Sequence, residues 1–287
     1  MPATVKHFFD SPTNTFTYLV FDPETDMGVI IDPVLNYEAA AGKCTTESAA
    51  ELIEYVKSAG IKIEYILETH IHADHLSGTR VIKEALGGKI GIGSQVVQIQ
   101  ETFAGIFNTE SGFQQDGSQF DVLFEDGDTF NVANLKFTVW HTPGHTPACV
   151  SYLVDDCIFV GDTLFMPDYG TARTDFPAGS AATLYHSIQK ILSLPEQTRI
   201  YLCHDYGTDN RPEVCSETSV GIEKAENIHI GGNTTQAGFI EQRESRDKEL
   251  KAPALLYPSV QFNMRGAQFP PADTNGTHYF KIPLRLP

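Results

Sequence analysis

The stretch Thr69-His70-Ile71-His72-Ala73-Asp74-His75 places three histidines and an aspartate within six residues. It directly follows a short β-rich apolar run, Ile61–Leu67. In extended backbone the side chains of His70 and His72 point the same way, and the chain must then turn to bring the aspartate and the third histidine to a neighbouring point. Imidazole and carboxylate are the ligands that divalent transition metals prefer. The stretch therefore predicts a metal site at the end of this strand.

Three later segments repeat the pattern of a candidate ligand at the end of an apolar strand. HTPGHT (141–146) supplies His145, VGDT (160–163) supplies Asp162, and YLCHD (201–205) supplies His204. One such residue alone would indicate little, because a lone histidine after a strand is more often structural and a lone Gly-Asp is usually a turn. Four segments in this order predict that their ligands meet at one edge of the fold.

The elements around these motifs alternate between strands and helices. Ser48 with Glu51 three residues later predicts a capped helix that Gly60 ends, and apolar spacing predicts another helix over 181–192. Strand clusters interleaved with helices favour two sheets flanked by helices. The last 80 or so residues predict polar helices near 216–230 and 234–250 and then a Pro-rich tail. No flexible linker precedes them, so we expect one domain over 1–287, with a core over about 1–210 and a packed extension over about 211–287.

Composition restricts the class of protein. The 287 residues are 41% hydrophobic and 20% charged, which excludes a disordered or fibrous chain. No apolar run exceeds four residues, so the sequence predicts no transmembrane helix. Twenty basic against 37 acidic residues give a net charge of −17, which argues against nucleic acid and anionic membranes as partners.

The cysteines and the first residues predict a compartment. Five cysteines, an odd number without CxxC spacing, argue against a disulfide framework and against a thiolate zinc site. MPATVKHFFD lacks an apolar signal core, and the first arginine is Arg80. We therefore expect a cytoplasmic protein.

The ligand motifs together resemble the metallo-β-lactamase superfamily. THIHADH, PGHT, GDT and a late strand-terminal histidine stand in that family's order. The resemblance implies an α/β fold, an αββα sandwich with the metal at one edge of its two sheets, here with a C-terminal helical extension. By this resemblance the chain has a ligand residue at all seven superfamily positions, which are His70, His72, Asp74, His75, His145, Asp162 and His204.

Finer motifs resemble the persulfide dioxygenases of that superfamily, the sulfur dioxygenases. The segments are RTDF (173–176), LYHSI (184–188), HDY (204–206) and NMR (263–265). The segment MPDYG (166–170) is similar to the bacterial branch. Glyoxalase II enzymes usually show a His-Glu pair where this chain has HDY.

This second resemblance implies one Fe(II) per chain on His70, His145 and Asp162, which would be the catalytic residues. A facial triad of this kind leaves three coordination sites open, enough for a persulfide sulfur and O2 together. The other four positions, His72, Asp74, His75 and His204, would orient ligands or hold a second metal. The same seven residues are compatible with one metal or with two.

The implied substrates are glutathione persulfide and O2, with glutathione and sulfite as products. Because arginine binds carboxylates bidentately, we expect it to offset the acidic chain at the glutathione site. The candidate substrate contacts are Arg173, Arg211 and Arg265, with Tyr206 and Asn227 as weaker ones. Each arginine could equally form a structural ion pair, for example with Asp175 or Glu213.

The alternative function is a glyoxalase II-type hydrolase of hydroxyacylglutathione thioesters with a dinuclear site. We expect a homodimer or another homo-oligomer in either case.

Overall fold

A computed structural model describes residues 2–284, within which the chain forms fifteen strands and seven helices. The helices are α1 Glu47–Ala59, α2 Thr79–Leu86, α3 Val96–Phe107, α4 Ala181–Leu192, α5 Val220–Glu226, α6 Gln236–Asp247 and α7 Leu256–Asn263. The first sheet contains β1 Thr4–Asp10, β2 Thr15–Asp22, β3 Met27–Ile31, β6 Lys62–Leu67, β8 Lys89–Gly93 and β9 Val122–Phe124, in that order. The second contains β10 Thr129–Val132, β11 Leu135–His141, β12 Val150–Val154, β13 Cys157–Phe159, β14 Arg199–Tyr201 and β15 Glu217–Ser219, in that order. A small third sheet is formed by β4 Val34–Glu38 between β5 Lys43–Thr45 and β7 Leu76–Ser77.

The two large sheets pack face to face through one apolar core. Tyr18 and Val29 of the first sheet lie in the same buried cluster as Phe137 and Tyr152 of the second. The strands β3, β6, β8 and β9 run parallel, and so do β13 and β14, whereas the other neighbours in the two sheets are antiparallel. Parallel strands need crossover connections, and these connections contain the helices that cover the outer faces.

The helices complete four layers. Leu52 and Val56 of α1 pack with Ile66 of β6 on the outside of the first sheet. Leu184 and Ile188 of α4 pack with Ile200 of β14 on the outside of the second. The predicted αββα sandwich is therefore confirmed, since each sheet buries one face against the other sheet and one against helices.

The predicted capping box at the start of α1 is wrong. The helix begins at Glu47, so Ser48 lies inside it, and its hydroxyl donates to Asp10 Oδ1 at 2.7 Å instead of capping the helix. The backbone N–H of Ser48 donates to Asn36 Oδ1 at 2.9 Å. The Ser48 side chain thus binds Asp10 of β1, which is distant in sequence, and not the backbone at the start of its own helix. The predicted end is correct, because Gly60 closes the helix in the left-handed conformation at φ 72°.

The C-terminal segment departs most from its sequence pattern. The helix predicted over 216–230 is the edge strand β15 followed by the short α5, and the predicted Pro-rich tail contains α7. The helix α6 packs on α4 through Phe239, and α7 packs against the α3 region through Val260. None of the helices within residues 2–284 is long and apolar enough to cross a bilayer.

One side chain of α7 anchors the loop that carries the clustered histidines. The Asn263 Nδ2 donates to the backbone carbonyls of His72 and His75, both at 2.9 Å, and its Oδ1 accepts from the Ser77 N–H at 2.8 Å. Asn263 is only 3% exposed. Three buried backbone groups of the loop therefore depend on this amide.

We expect Asn263→Ala to lower the free energy of unfolding by about 2–4 kcal/mol, because it leaves three buried backbone groups unpaired. Chemical denaturation followed by circular dichroism measures the change. The control Gln268→Ala removes an exposed amide from the following segment and should leave stability unchanged. Equal stability of Asn263→Ala and the wild type would contradict the anchoring role.

Candidate metal centre

Four chain segments meet at one edge of the sandwich and bring the seven predicted ligands together. The loop after β6 carries His70, His72, Asp74 and His75. His145 lies between β11 and β12, Asp162 lies in a single 3-10 turn, Gly161–Thr163, after β13, and His204 follows β14. All of these lie at strand ends, where the backbone is free to turn side chains toward a common point.

His70, His145 and Asp162 form one three-residue group. The Asp162 Oδ2 lies 3.7 Å from His70 Nε2 and 3.6 Å from His145 Nε2. All three residues are buried, and their ligand atoms lie within 4.8 Å of one another. Two imidazoles and one carboxylate on one face of an ion constitute a facial triad.

The remaining four residues form a second group beside the first. The His204 Nε2 lies 3.1 Å from Asp74 Oδ2 and 3.3 Å from Asp162 Oδ1. His75 Nδ1 lies 3.6 Å from Asp74 Oδ1, and His72 completes the group. Asp162 therefore stands between the two groups, with one carboxylate oxygen directed toward each.

The unpartnered atoms of both groups fit a bound cation. Six buried side-chain atoms in them accept or donate no hydrogen bond within the described residues: His70 Nε2, His72 Nδ1, Asp74 Oδ2, His75 Nε2, Asp162 Oδ1 and His204 Nε2. An unsatisfied buried polar atom costs about 1–3 kcal/mol. Nitrogen and carboxylate ligands suit iron, zinc or manganese, so a divalent transition metal would satisfy these atoms, whose polar contacts are at most ion pairs with other members of the two groups.

Hydrogen bonds to the far ring nitrogens set the tautomers of two histidines. Thr69 Oγ1 donates to Asp32 Oδ2 at 2.8 Å, so it accepts from His70 Nδ1, which lies 3.0 Å away. His145 Nδ1 donates to the Arg173 carbonyl at 2.8 Å. In both rings Nε2 is left with its lone pair directed at the site, as a metal ligand requires.

Asp32, which the sequence motifs did not indicate, supports the ligand loop. It follows β3 in the left-handed conformation, at φ 50°, and is 2% exposed. Its carboxylate accepts from the Thr69 N–H at 2.7 Å and lies 3.1 Å from His72 Nε2. Glu68 Oε2 contacts the same nitrogen at 3.2 Å, and its other oxygen accepts from the Ser77 hydroxyl. A polar residue directly after the apolar run Val29–Ile31 is the signal that could have revealed Asp32.

Burial and the neighbouring carboxylates shift the histidine pKa values in opposite directions. Burial holds the pKa of His70 well below its ordinary value, which favours the neutral ligand form. Burial also opposes protonation of His72 and His204. Nevertheless, Asp32 holds the pKa of His72, and Asp74 that of His204, well above the ordinary value.

A cavity of about 390 Å³ borders both groups of candidate ligands. Asp74, His145 and Asp162 lie at its inner end. Its walls combine aromatic and cationic residues, which are Phe165, Tyr169, Tyr206, Phe176, His229, Arg173, Arg243 and Arg246. A concave site with a few convergent polar groups has the form of a small-molecule pocket.

Two of the five predicted substrate contacts line this cavity. Tyr206 is 43% exposed, and its ring stacks on Tyr169 with centroids 4.9 Å apart. Arg173 lines the wall but forms a bidentate pair with Asp175, Nε–Oδ1 2.6 Å and Nη2–Oδ2 2.7 Å. Its Nη1 donates to the Lys251 carbonyl at 2.7 Å. These direct contacts support the alternative in which Arg173 is a structural residue that holds its loop through Asp175.

The other three predicted contacts lie outside the cavity lining and have structural partners. Arg211 pairs with Asp168 and Asp205. Arg265 forms a bidentate pair with Glu110, at 2.8 and 2.9 Å. Asn227 is 4% exposed and donates to the Gly170 carbonyl at 3.1 Å and to Glu223 Oε2 at 2.6 Å. Each of these three residues therefore holds the C-terminal segment to its neighbours.

Arg246 of α6 is the cavity residue that sequence reasoning missed. Its guanidinium is exposed in the wall of the cavity. Among residues 2–284 it is the one arginine side chain without a hydrogen bond or ion pair. No local motif surrounds it, since it lies in a polar helix whose pattern only indicates exposure. Its neighbour Arg243 is buried and pairs with Asp247 at 2.7 Å.

Comparison with known proteins places these features in a family. The family model described as metallo-beta-lactamase superfamily matches residues 10–204. A probable metallo-hydrolase of Burkholderia pseudomallei is 47% identical over 98% of this chain and 99% of its own. Glyoxylase B2 of Dictyostelium discoideum is 46% identical over 98% and 97%.

The persulfide dioxygenases are also similar. The mitochondrial persulfide dioxygenase ETHE1 of Mus musculus is 34% identical over 94% of this chain and 92% of its own. The crystal structure of ETHE1 from Myxococcus xanthus superposes with a TM-score of 0.73, covering 92% of this chain and all of that one at 29% identity. The match extends beyond residue 204 and includes the C-terminal extension.

We expect Asp162→Ala to abolish metal binding without unfolding the chain. The substitution removes the carboxylate that both ligand groups share, while the core between the sheets is untouched. Metal content by mass spectrometry and the circular dichroism spectrum measure the two effects. The control Asp168→Asn, which removes a carboxylate from the surface pair with Arg211, should keep its metal. A metal-replete, active Asp162→Ala protein would refute the ligand assignment.

Proposed function

Because the chain belongs to the metallo-beta-lactamase superfamily, we propose that it is a glutathione-dependent persulfide dioxygenase with one Fe(II) held by His70, His145 and Asp162. The overall reaction combines glutathione persulfide, O2 and water to give glutathione and sulfurous acid, which ionises to sulfite. The outer sulfur is oxidised and O2 is reduced. The S–S bond breaks, and the proton of the persulfide group ends on the thiol of glutathione. A cytoplasmic location and a homo-oligomeric state stay predictions from the sequence.

The observation that carries the proposal is a facial triad at the inner end of a cavity with a cationic wall. The ligand atoms of His70, His145 and Asp162 form a group of their own, and two of its members, His145 and Asp162, line the cavity. Iron(II) held by such a triad supplies open coordination sites and the redox chemistry of O2 activation. The similarity to persulfide dioxygenases at 34% identity supports the same assignment.

The chain's own residues would bind and orient the substrate. Glutathione carries two carboxylates, and the chain has a net charge of −17, so a local cation must attract the substrate against the global field. Arg246 is available for this because its guanidinium has no other partner, whereas Arg173 and Arg243 are already paired. Tyr206 and Tyr169 offer a stacked apolar wall with hydroxyl groups for the peptide. These contacts would direct the persulfide end toward the metal ligands.

A thioester hydrolase with two metals is the second candidate. His72, Asp74, His75 and His204 are placed to hold a second ion next to the first, with Asp162 between the two. Two bound metals activate water for hydrolysis. The similarity to glyoxylase B2 and to a probable metallo-hydrolase, both above 45% identity, favours this candidate. The metal count therefore separates the two functions.

We expect protein from iron-supplemented cells to contain one iron per chain and to consume O2 with glutathione persulfide. It should hydrolyse lactoylglutathione far more slowly, because one facial triad lacks the second ion that activates water. Elemental analysis, an oxygen electrode and a thioester absorbance assay measure the three quantities. Two zinc ions per chain with rapid thioester hydrolysis and no oxygen uptake would favour the hydrolase instead.

We expect Arg246→Ala to raise the KM for glutathione persulfide by about one to two orders of magnitude, since a charge-assisted contact contributes about 1.5–3 kcal/mol. Iron content and melting temperature should not change, because the side chain holds no protein partner. The control Lys248→Ala removes an exposed cation two residues away, outside the cavity lining.

Arg173→Ala should act differently, by lowering the melting temperature together with activity, since it breaks the contacts to Asp175 and Lys251. Asp175→Asn should then reproduce most of that loss. An unchanged KM in Arg246→Ala would remove this residue from the substrate site.

A further inference from the structure

The wall of the cavity beside the candidate metal ligands contains a buried histidine that the proposed function does not use. His229 lies in the loop after α5 and lines the cavity, yet it is only 6% exposed. Its Nδ1 lies 2.9 Å from the Thr171 N–H, and because a backbone N–H can only donate, this nitrogen accepts. A neutral imidazole with an accepting Nδ1 carries its proton on Nε2. The backbone of a neighbouring segment therefore sets the tautomer of His229.

His229 is a neutral donor at physiological pH. Burial, and then the charges of Arg243 and Arg246 on α6, lower the pKa of His229 to about 4, against the opposing charge of Asp247. Within residues 2–284 its side chain forms hydrogen bonds with Thr171 alone, both at Nδ1. A buried donor without an acceptor is costly. The fold thus keeps an N–H in the cavity wall for which the protein supplies no partner.

The segment MPDYG (166–170) orients this ring. A Cβ at Gly170 would lie 2.1 Å from His229 Nδ1 and 2.5 Å from two ring carbons, so the ring occupies the space that any other side chain would need. Gly170 also has a φ of 98°, in the region that favours glycine. The two nitrogens of an imidazole point in divergent directions, so Nε2 is turned away from the backbone of Gly170 and Thr171.

Two further side chains fix the loop of His229 to this segment. Asn227, which the sequence predicts as a weaker substrate contact, accepts from the His229 N–H at 2.9 Å and donates to the Gly170 carbonyl at 3.1 Å. Arg243 Nη1 donates to the Thr171 carbonyl at 3.0 Å. The position of the His229 donor therefore depends on buried contacts and not on a flexible surface side chain.

We propose that His229 Nε2 donates a hydrogen bond to the substrate carboxylate that Arg246 binds, an inference that rests on the proposed function. Arg246 lines the same cavity, close enough for its charge to act on the His229 ring. A carboxylate has two oxygens and several lone pairs, so it accepts from a guanidinium and from a neutral N–H at once. An ester or an amide keeps an acceptor for His229 but lacks the charge for Arg246. The pair therefore selects a carboxylate, and the neutral donor fixes its direction.

Two substitutions separate the cavity donor from the backbone contact. His229→Asn keeps an acceptor near the position of Nδ1 for the Thr171 N–H but removes the cavity donor, whereas His229→Gln places an N–H near the position of Nε2. We expect His229→Asn to raise the dissociation constant of S-methylglutathione about tenfold and His229→Gln to recover most of the affinity. Calorimetric titration of the metal-loaded protein measures both, because this thioether keeps both carboxylates and does not turn over. The control His278→Asn changes an exposed histidine outside the cavity wall and should bind like the wild type.

A double-mutant cycle tests whether the two side chains share one carboxylate. In the Arg246→Ala background, His229→Asn should weaken binding of S-methylglutathione little further, because the shared contact is already lost. Two analogues carry an ester at the glycine carboxylate or at the γ-glutamyl carboxylate. With one and the same analogue, both substitutions should lose their effect. Additive losses, or losses that disappear with different analogues, would overturn the shared contact.

The wild type provides a readout that needs no substitution. Nitrogen-15 spectra of histidine-labelled, zinc-loaded protein should show the His229 proton on Nε2 between about pH 6 and pH 8, and S-methylglutathione should shift this resonance. A proton on Nδ1, or an Nε2 resonance that the ligand does not move, would overturn the proposal even where His229→Asn fails to fold.

The outcomes separate this inference from the proposed function. A protein that binds S-methylglutathione through His229 and Arg246 but consumes no oxygen would overturn the dioxygenase and leave the carboxylate contact standing. Oxygen uptake with glutathione persulfide, together with equal affinities of the wild type and His229→Asn for S-methylglutathione, would overturn the contact and leave the function standing. A wild type without measurable affinity for S-methylglutathione would also overturn the contact.

Discussion

The buried carboxylate of Asp32 is the contact on which the ligand edge depends. It joins the end of β3 to the loop after β6, because it accepts hydrogen bonds from the backbone and the hydroxyl of Thr69 and faces His72 Nε2. Thr69 can then accept from His70 Nδ1, so one carboxylate acts on two histidines. The desolvation of this carboxylate is costly, and burial opposes its ionisation. Even so, His72 and the Thr69 hydrogen bonds hold the pKa of Asp32 below its ordinary value. The contacts of Asp32 thus hold the loop after β6 through the protein's own groups.

The C-terminal extension completes this site as well as covering the fold. The family model ends at residue 204, yet Asn263 of α7 holds the ligand loop and Arg246 of α6 provides the free cation of the cavity wall. Asp247 fixes the wall from the same helix, since its carboxylate accepts from the Thr174 N–H at 2.8 Å and pairs with Arg243. The sandwich thus supplies the candidate metal ligands, and the extension supplies part of the wall of the cavity beside them.

The residues that the sequence predicts as metal ligands lie together in the structure, whereas the sequence predicts their surroundings poorly, for physical reasons. Ligands must stand at strand ends in fixed order, so His70, His145 and Asp162 leave short local motifs. Ser48 and Arg246 carry no such signal, because the partner or space that decides their role comes from a distant segment. The edge strand β15 has only three residues, too few to show an alternating pattern, so the sequence predicts a helix over a segment that pairs with β14. Local sequence patterns indicate which residues could bind a metal or a substrate. Tertiary contacts determine which of those side chains are free of other partners.

That distinction applies most clearly to the arginines of an acidic protein. With 37 acidic residues in the chain, most arginines among residues 2–284 have a carboxylate partner, which holds for Arg173, Arg199, Arg211, Arg243 and Arg265, while Arg80 donates to backbone carbonyls. A guanidinium whose charge is already balanced by a carboxylate gains less from a second one. An unpaired guanidinium gains the full contact. The lack of any hydrogen-bond or ion-pair partner for Arg246 within residues 2–284 of this strongly acidic chain is therefore a stronger indication of anion binding than the presence of an arginine in a motif.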